Sequence, residues 1–190
     1  MLESMKAVIY EEYGGPDVLH HVDDFSIPRL GPGEALVQVH AVGLNGYDLM
    51  ARAGRYKPNK GKFPHILGGD FGGVLTALGP DAQTDLEIGT RVTAWWVVTC
   101  GTCEQCLAGH QNRCSRDYRY LGAHLHGAYA QYVKLPALGL IPLPDTLSYE
   151  EAAAASQRES GKGLTKQSYH LLPKIREVDA FAKDRRVFEV

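Results

Sequence analysis

The sequence predicts a mainly β protein with short helices, arranged as a partly open β-barrel that carries a metal lobe. Three observations lead there. An alternating strand pattern occupies residues 35–42, Gly/Pro turns cut the chain into short apolar runs, and four cysteines gather between positions 100 and 114.

Lys6 to Tyr10 reads as a first strand, followed by a turn at Gly14-Gly15-Pro16. A second turn, Gly31-Pro32-Gly33, delivers Glu34 into the alternating run, where Ala35, Val37, Val39 and Ala41 form one apolar face. Asp48 to Arg52 suits a short helix closed by Gly54, and residues 72–78 return to strand character before Gly79-Pro80 turns them. The glycine run Gly68-Gly69-Asp70-Phe71-Gly72-Gly73 lacks the G-x-G-x-x-G order, so close strand packing explains it better than phosphate binding. Residues 90–98 and 128–135 are further β-rich stretches on either side of the cysteines. Helix character enters only after Pro142-Leu143-Pro144, with Ser148 able to cap and Glu151 able to reach back to it.

The chain of 190 residues with 44% hydrophobic content can bury a sizeable core. Its formal net charge of -2 gives no basic face for a polyanion, which argues against a nucleic-acid partner. No apolar run approaches the roughly 20 residues that span a bilayer, and the N-terminus lacks a basic-then-apolar leader. A cytoplasmic protein without a membrane partner is expected.

Cys100, Cys103, Cys106 and Cys114 follow the spacing C-x2-C-x2-C-x7-C. Three thiolates can converge from one tight loop while the fourth returns to complete a tetrahedron, and four sulfur ligands leave no open position for substrate. One structural Zn2+ is the expected occupant, with an iron–sulfur cluster as the alternative that spacing alone leaves open. Gly101 and Gly109 allow the reversals, and His110 reads as a solvated loop residue, not a fifth ligand. His20, His21, His124 and His126 form no site by sequence.

In order along the chain, Lys6-Ala7-Val8, Gly31-Pro32-Gly33-Glu34, residues 66–73, Gly89-Thr90-Arg91-Val92, the four cysteines and residues 127–132 resemble the medium-chain dehydrogenase/reductase superfamily. The likeness covers about the first 155 residues and implies a GroES-like catalytic-type domain with a zinc lobe at about 98–116. Residues 156–190 form an atypical tail, partly helical or disordered, with eight Lys/Arg against five Asp/Glu. In the alcohol dehydrogenase branch, a catalytic zinc takes a Cys and a His at positions that match Asn45 and Gly69 here. A carboxamide is a poor zinc ligand and glycine has no side chain, so the resemblance implies a cleft without catalytic zinc.

These substitutions are similar to the zinc-independent quinone oxidoreductase branch. That likeness implies that Asn45, Asp48, Arg52 and Tyr56 line a pocket, with Asn45 and Tyr56 contacting the cofactor. Asp48 would orient neighbours; the competing interpretation is an ordinary Asp48–Arg52 surface ion pair at i,i+4. The implied function is the N-terminal domain of a zinc-containing, NAD(P)H-dependent oxidoreductase acting on a small carbonyl or quinone, with a homo-oligomer or full-length paralogue as partner. No complete Rossmann domain is readable: Gly161-Lys162-Gly163-Leu164 lacks the fingerprint and its preceding strand. NAD(P)H is therefore expected to act only when a nucleotide-binding domain is supplied elsewhere, leaving the isolated chain inactive; a non-catalytic zinc-stabilised β-module is the alternative.

Overall fold

The computed structural model describes residues 3–57, 59–116 and 118–159. Its elements are β1 (Ser4–Tyr10), β2 (Leu19–Ser26), β3 (Glu34–Val42), α1 (Gly46–Arg52), β4 (His65–Ile66), β5 (Phe71–Leu78) and β6 (Arg91–Ala94). They continue as β7 (Val97–Thr99), α2 (Glu104–Leu107), β8 (Tyr118–Tyr120), β9 (Tyr132–Pro136), β10 (Leu140–Pro142) and α3 (Tyr149–Glu159). The expected tail helix and the Gly161-to-Leu164 segment lie outside the described residues.

Three antiparallel sheets share the chain, ordered β2-β1-β4, β10-β6-β5-β3-β9 and β7-β8. None closes on itself, as a partly open barrel requires. The alternation at residues 35–42 holds through β3: Ala35, Val37, Val39 and Ala41 are buried, and the first three meet Phe71, Leu75, Val92 and Val133 in the main core. Central position explains the apolar content, because β3 is paired on both sides by β5 and β9. A smaller core of Met5, Ala7, Ile9 and Ile66 lies under the first sheet. The two sheets are stitched where Val8 N–H donates to Tyr129 O at 2.8 Å and Val39 N–H to Gln131 O at 2.9 Å.

Two boundaries differ from the sequence reading. Residues 90–98 are not one strand: the chain breaks at Trp95 and Trp96, leaving β6 in the barrel sheet and β7 as the base of the cysteine lobe. The expected strand at 128–135 starts only at Tyr132, because residues 127–129 turn instead to bond Ile66, Leu67 and Gly68. The glycine run packs strands as expected; a Cβ on Gly73 would collide with the Gln38 carbonyl of β3.

The capping box forms: Ser148 N–H donates to Glu151 Oε2 at 2.9 Å, and Glu151 N–H to Ser148 Oγ at 3.1 Å. Tyr149 stacks on His40 at 4.7 Å between centroids, with the Arg91 guanidinium 4.6 Å over the same ring. This sandwich pins α3 against the barrel and buries Ala152, Ala153 and Ala154. Helix α3 runs on through Glu159, across position 155. Among the described residues, no helix is long and apolar enough to cross a membrane.

Candidate metal centre and cleft

The cysteine lobe stands on the β7–β8 ribbon, where Val97, Val98 and Thr99 pair with Tyr120, Arg119 and Tyr118. Cys103 caps α2, Cys106 lies within it, and Cys114 ends the 3-10 turn Gln111–Arg113. Gly101 and Gly109 adopt φ of 68° and 80°, the left-handed conformations that the reversals require. The four Sγ atoms lie within 4.8 Å of one another.

The separations distinguish a metal cage from a disulfide. Cys100 Sγ lies 3.9 Å from Cys106 Sγ and 3.6 Å from Cys114 Sγ, while a disulfide needs about 2.0 Å. Zinc–sulfur bonds of about 2.3 Å at tetrahedral angles put sulfurs about 3.8 Å apart. The cage therefore fits a single tetrahedral ion, and all four thiols are free. Cys103 N–H approaches Cys100 Sγ at 3.3 Å and Cys100 N–H approaches Cys114 Sγ at 3.5 Å, so backbone donors already face thiolate charge. The Ser115 and Cys106 amides hold the Cys103 thiol low, whereas burial pushes Cys106 up.

The second site is built at the start of α1. Asn45 is its N-cap, and its backbone N–H donates to Asp48 Oδ2 at 2.9 Å. Asp48 is 4% exposed and accepts two further bonds, from Gly68 N–H at 3.1 Å on Oδ1 and Tyr129 Oη–H at 3.1 Å on Oδ2. Burial pushes the Asp48 carboxyl up to about 6, with Asp70 adding to the rise and the three hydrogen bonds opposing it. Asp48 thus ties α1 to the turn before β5 and to the segment before β9.

The surface ion-pair interpretation of Asp48 and Arg52 fails, because both residues are buried and no bridge joins them among the described residues. Arg52, expected to line the pocket, is buried in the last turn of α1. Its backbone carbonyl accepts from Gly14 N–H at 3.0 Å, and the charge acting on its guanidinium is that of Asp17. Burial lowers its pKa from the ordinary arginine range.

Asn45 meets a partner that the sequence did not suggest. Its Nδ2 donates to Asp70 Oδ2 at 2.5 Å, joining the residues that follow Leu44 and Gly69. One carboxamide N–H is therefore committed inside the protein. Beside this pair, a Cβ on Gly69 would stand 3.2 Å from Trp96 Cβ and 3.7 Å from its ring, so Trp96 lines the space beside position 69 and a side chain there would need it to give slightly. Tyr47 carries the aromatic wall onward, 5.5 Å from Trp96 and 5.3 Å from Tyr56 between centroids. Trp96 stacks in turn on Tyr120 at 4.6 Å. Tyr56, 42% exposed, stands at the outer end of this aromatic row. Asp70, Tyr47, Trp96 and Tyr120 were missed; the only available signals were the acid directly after Gly69 and the paired tryptophans.

The family model for the alcohol dehydrogenase GroES-like domain matches residues 31–145, more than half of the chain. The chain belongs to that family. A second model, for a protein family of unknown function (DUF429), matches residues 127–190; over the overlap, β9 pairs with β3 as part of the GroES-like barrel. An alcohol dehydrogenase of Geobacillus stearothermophilus is 37% identical over 150 residues, covering 78% of this chain and 43% of that protein. A solved NAD-dependent alcohol dehydrogenase superposes with a TM-score of 0.71 at 45% identity, over 79% of this chain and 43% of the other. A quinone oxidoreductase of Pseudomonas syringae pv. Tomato DC3000 gives a TM-score of 0.59 at 30% identity, over 79% and 37%. The chain spans about two-fifths of the length of these relatives.

Proposed function

We propose that this GroES-like domain is the substrate-side half of a nicotinamide-dependent oxidoreductase, stabilised by one structural zinc and working without a catalytic zinc. The four-sulfur cage carries the zinc assignment, since its 3.6 and 3.9 Å edges match the tetrahedron the ion demands. Cys100, Cys103, Cys106 and Cys114 would hold the ion, and its binding energy would contribute to folding. The cleft does not fit a second ion: Asn45 offers a carboxamide already bonded to Asp70, and Gly69 offers nothing.

Nicotinamide supplies a hydride when bound; the protein's part is orientation and exclusion of water. Asn45 presents its Oδ1 and remaining N–H to the cofactor carboxamide or a substrate carbonyl, with Asp70 fixing which way the amide faces. Asp48 holds the Asn45 backbone without itself transferring a proton. The Trp96–Tyr47–Tyr56 wall favours a flat conjugated carbonyl or quinone over a small aliphatic one. The likeness to the Pseudomonas quinone oxidoreductase supports that substrate class.

The domain proper ends near residue 155, and residues 156–190 contribute little to it. The 190 residues contain no dinucleotide fingerprint, so the remote phosphate and ribose contacts must come from a full-length form or partner subunit. Metal analysis of purified protein giving stoichiometric zinc supports the first half of the proposal. Reduction of an enone by NADPH in a complete form, lost on Asn45→Ala with zinc content unchanged, supports the second; a second bound zinc dependent on Asn45 would refute the cleft assignment.

A further inference from the structure

A second concavity lies apart from the Asn45 cleft and shares none of its residues. It encloses about 620 Å3 between β1 and β2, the 62–66 segment, the 124–127 loop and β9. That volume falls within the roughly 300–1,000 Å3 of small-molecule sites. Phe25, Ile66, Leu125 and Tyr132 are among its walls, and His65 and His126 line it too. Neither the metal centre nor the proposed hydride site uses it.

One buried atom of this groove's lining residues lacks a partner. His65 is 4% exposed, yet its Nε2 meets no hydrogen-bond partner among the described residues. The bond to the Gly122 carbonyl therefore belongs to the other ring nitrogen, Nδ1, which carries the hydrogen of the neutral ring. Burial first, and His126 next, hold the imidazole down to about 4, so at neutral pH Nε2 is a bare acceptor. Buried acceptors are nearly always bonded, because an unmade bond forfeits the hydration given up on folding. A metal ion does not fill the gap: among the described residues, three or more potential ligand atoms gather only at the four cysteines.

The neighbouring rings indicate what carries the missing donor. Tyr10 meets the His65 imidazole edge-on at 5.7 Å between centroids, and His126 lies 5.2 Å away at an interplanar angle of 32°. Phe25 continues the row, edge-on to His126 at 5.6 Å. Such spacings are those of interacting aromatic pairs, and a further flat ring extends the row. We propose that this groove binds an uncharged phenol or aryl alcohol, its O–H donating to His65 Nε2 and its ring lying among Phe25, Ile66, Leu125 and Tyr132. Burial of the ring supplies affinity, and the single acceptor selects for the hydroxyl. An aryl ether of the same shape offers no donor and leaves Nε2 unpaired.

The test titrates the zinc-loaded full chain calorimetrically with para-propylphenol and with para-propylanisole, which keeps the ring and tail but lacks the O–H. The phenol should bind one-to-one and about tenfold more tightly than the ether. His65→Phe, which keeps a ring in the row, should weaken the phenol to the level of the ether and leave the ether nearly unchanged. A readout on the wild-type chain stands independently of that variant: the nitrogen-15 resonance of His65 Nε2 should move toward the protonated range with the phenol and stay in place with the ether. Equal affinity for the two ligands, no binding, or a preference that survives His65→Phe would overturn the assignment. An Nε2 resonance unmoved by bound phenol would overturn it as well, as would ligand-induced shifts confined to Trp96 and Tyr120, which would place the phenol in the Asn45 cleft.

Discussion

Two buried titratable groups should oppose one another in the stability of this domain, and single substitutions should unmask each. The Asp48 carboxyl is pushed from 3.8 to about 6 by burial, with the neighbouring Asp70 adding to it. Because its folded value is raised, its contribution is fully present below pH 4 and is lost as pH rises through about 6. His65 behaves inversely: burial first, then His126 and His124, hold its imidazole down to about 4 from 6.5. Its contribution is present above pH 6.5 and is lost as pH falls through about 4. At about 1.4 kcal/mol for each tenfold change in proton affinity, each group is worth about 3 kcal/mol, so between pH 4 and 6 the two slopes nearly cancel.

Asp48→Asn should therefore convert a nearly flat contribution into one that rises by about 3 kcal/mol between pH 4 and 6.5. Its baseline should fall by about 1–3 kcal/mol, because an amide N–H now faces one of the donors from Asn45, Gly68 or Tyr129. His65→Phe, which keeps a ring against Tyr10 and His126, should show the opposite slope. Urea denaturation at fixed zinc concentration, repeated at half-unit pH steps, reads both. If the Asp48→Asn and wild-type curves remain parallel across this window, the buried carboxyl does not titrate as argued and the reasoning fails.

Cys103→Ser should strip the lobe of zinc and lower the melting temperature sharply, since no preformed cage exists in the unfolded chain; plasma emission spectrometry together with calorimetry checks both. Phe71→Ala, at a residue with 0% exposure in the main core, should cost about 3–5 kcal/mol in chemical denaturation while zinc stays bound. Truncation after Ala155 keeps the buried Ala152, Ala153 and Ala154 and should leave the thermal transition nearly unmoved; a large drop would show that later residues pack on the barrel. The 190-residue polypeptide alone should bind NADPH more weakly than micromolar by calorimetry, and tighter binding would place the nucleotide contacts within this chain.

The fold class and the clustering of the four cysteines were legible in the sequence because both rest on local pattern. The period-2 alternation of Ala35, Val37, Val39 and Ala41 specifies a half-buried face wherever the strand sits, and four thiols within 15 positions can scarcely avoid one another. The Ser148–Glu151 capping box is local for the same reason. Which residues share the cleft was not legible. Asn45 and Asp70 are 25 positions apart, and only the pairing of β3 with β5 brings their carboxamide and carboxylate together. Asp48 and Arg52 looked like a surface pair by spacing alone; burial of α1 against the turns at Gly14 and Gly68 instead gave each residue separate neighbours. The concavity lined by the 62–66 segment, β8 and β9 is wholly tertiary, since no one-dimensional spacing encodes a surface assembled from three sheets.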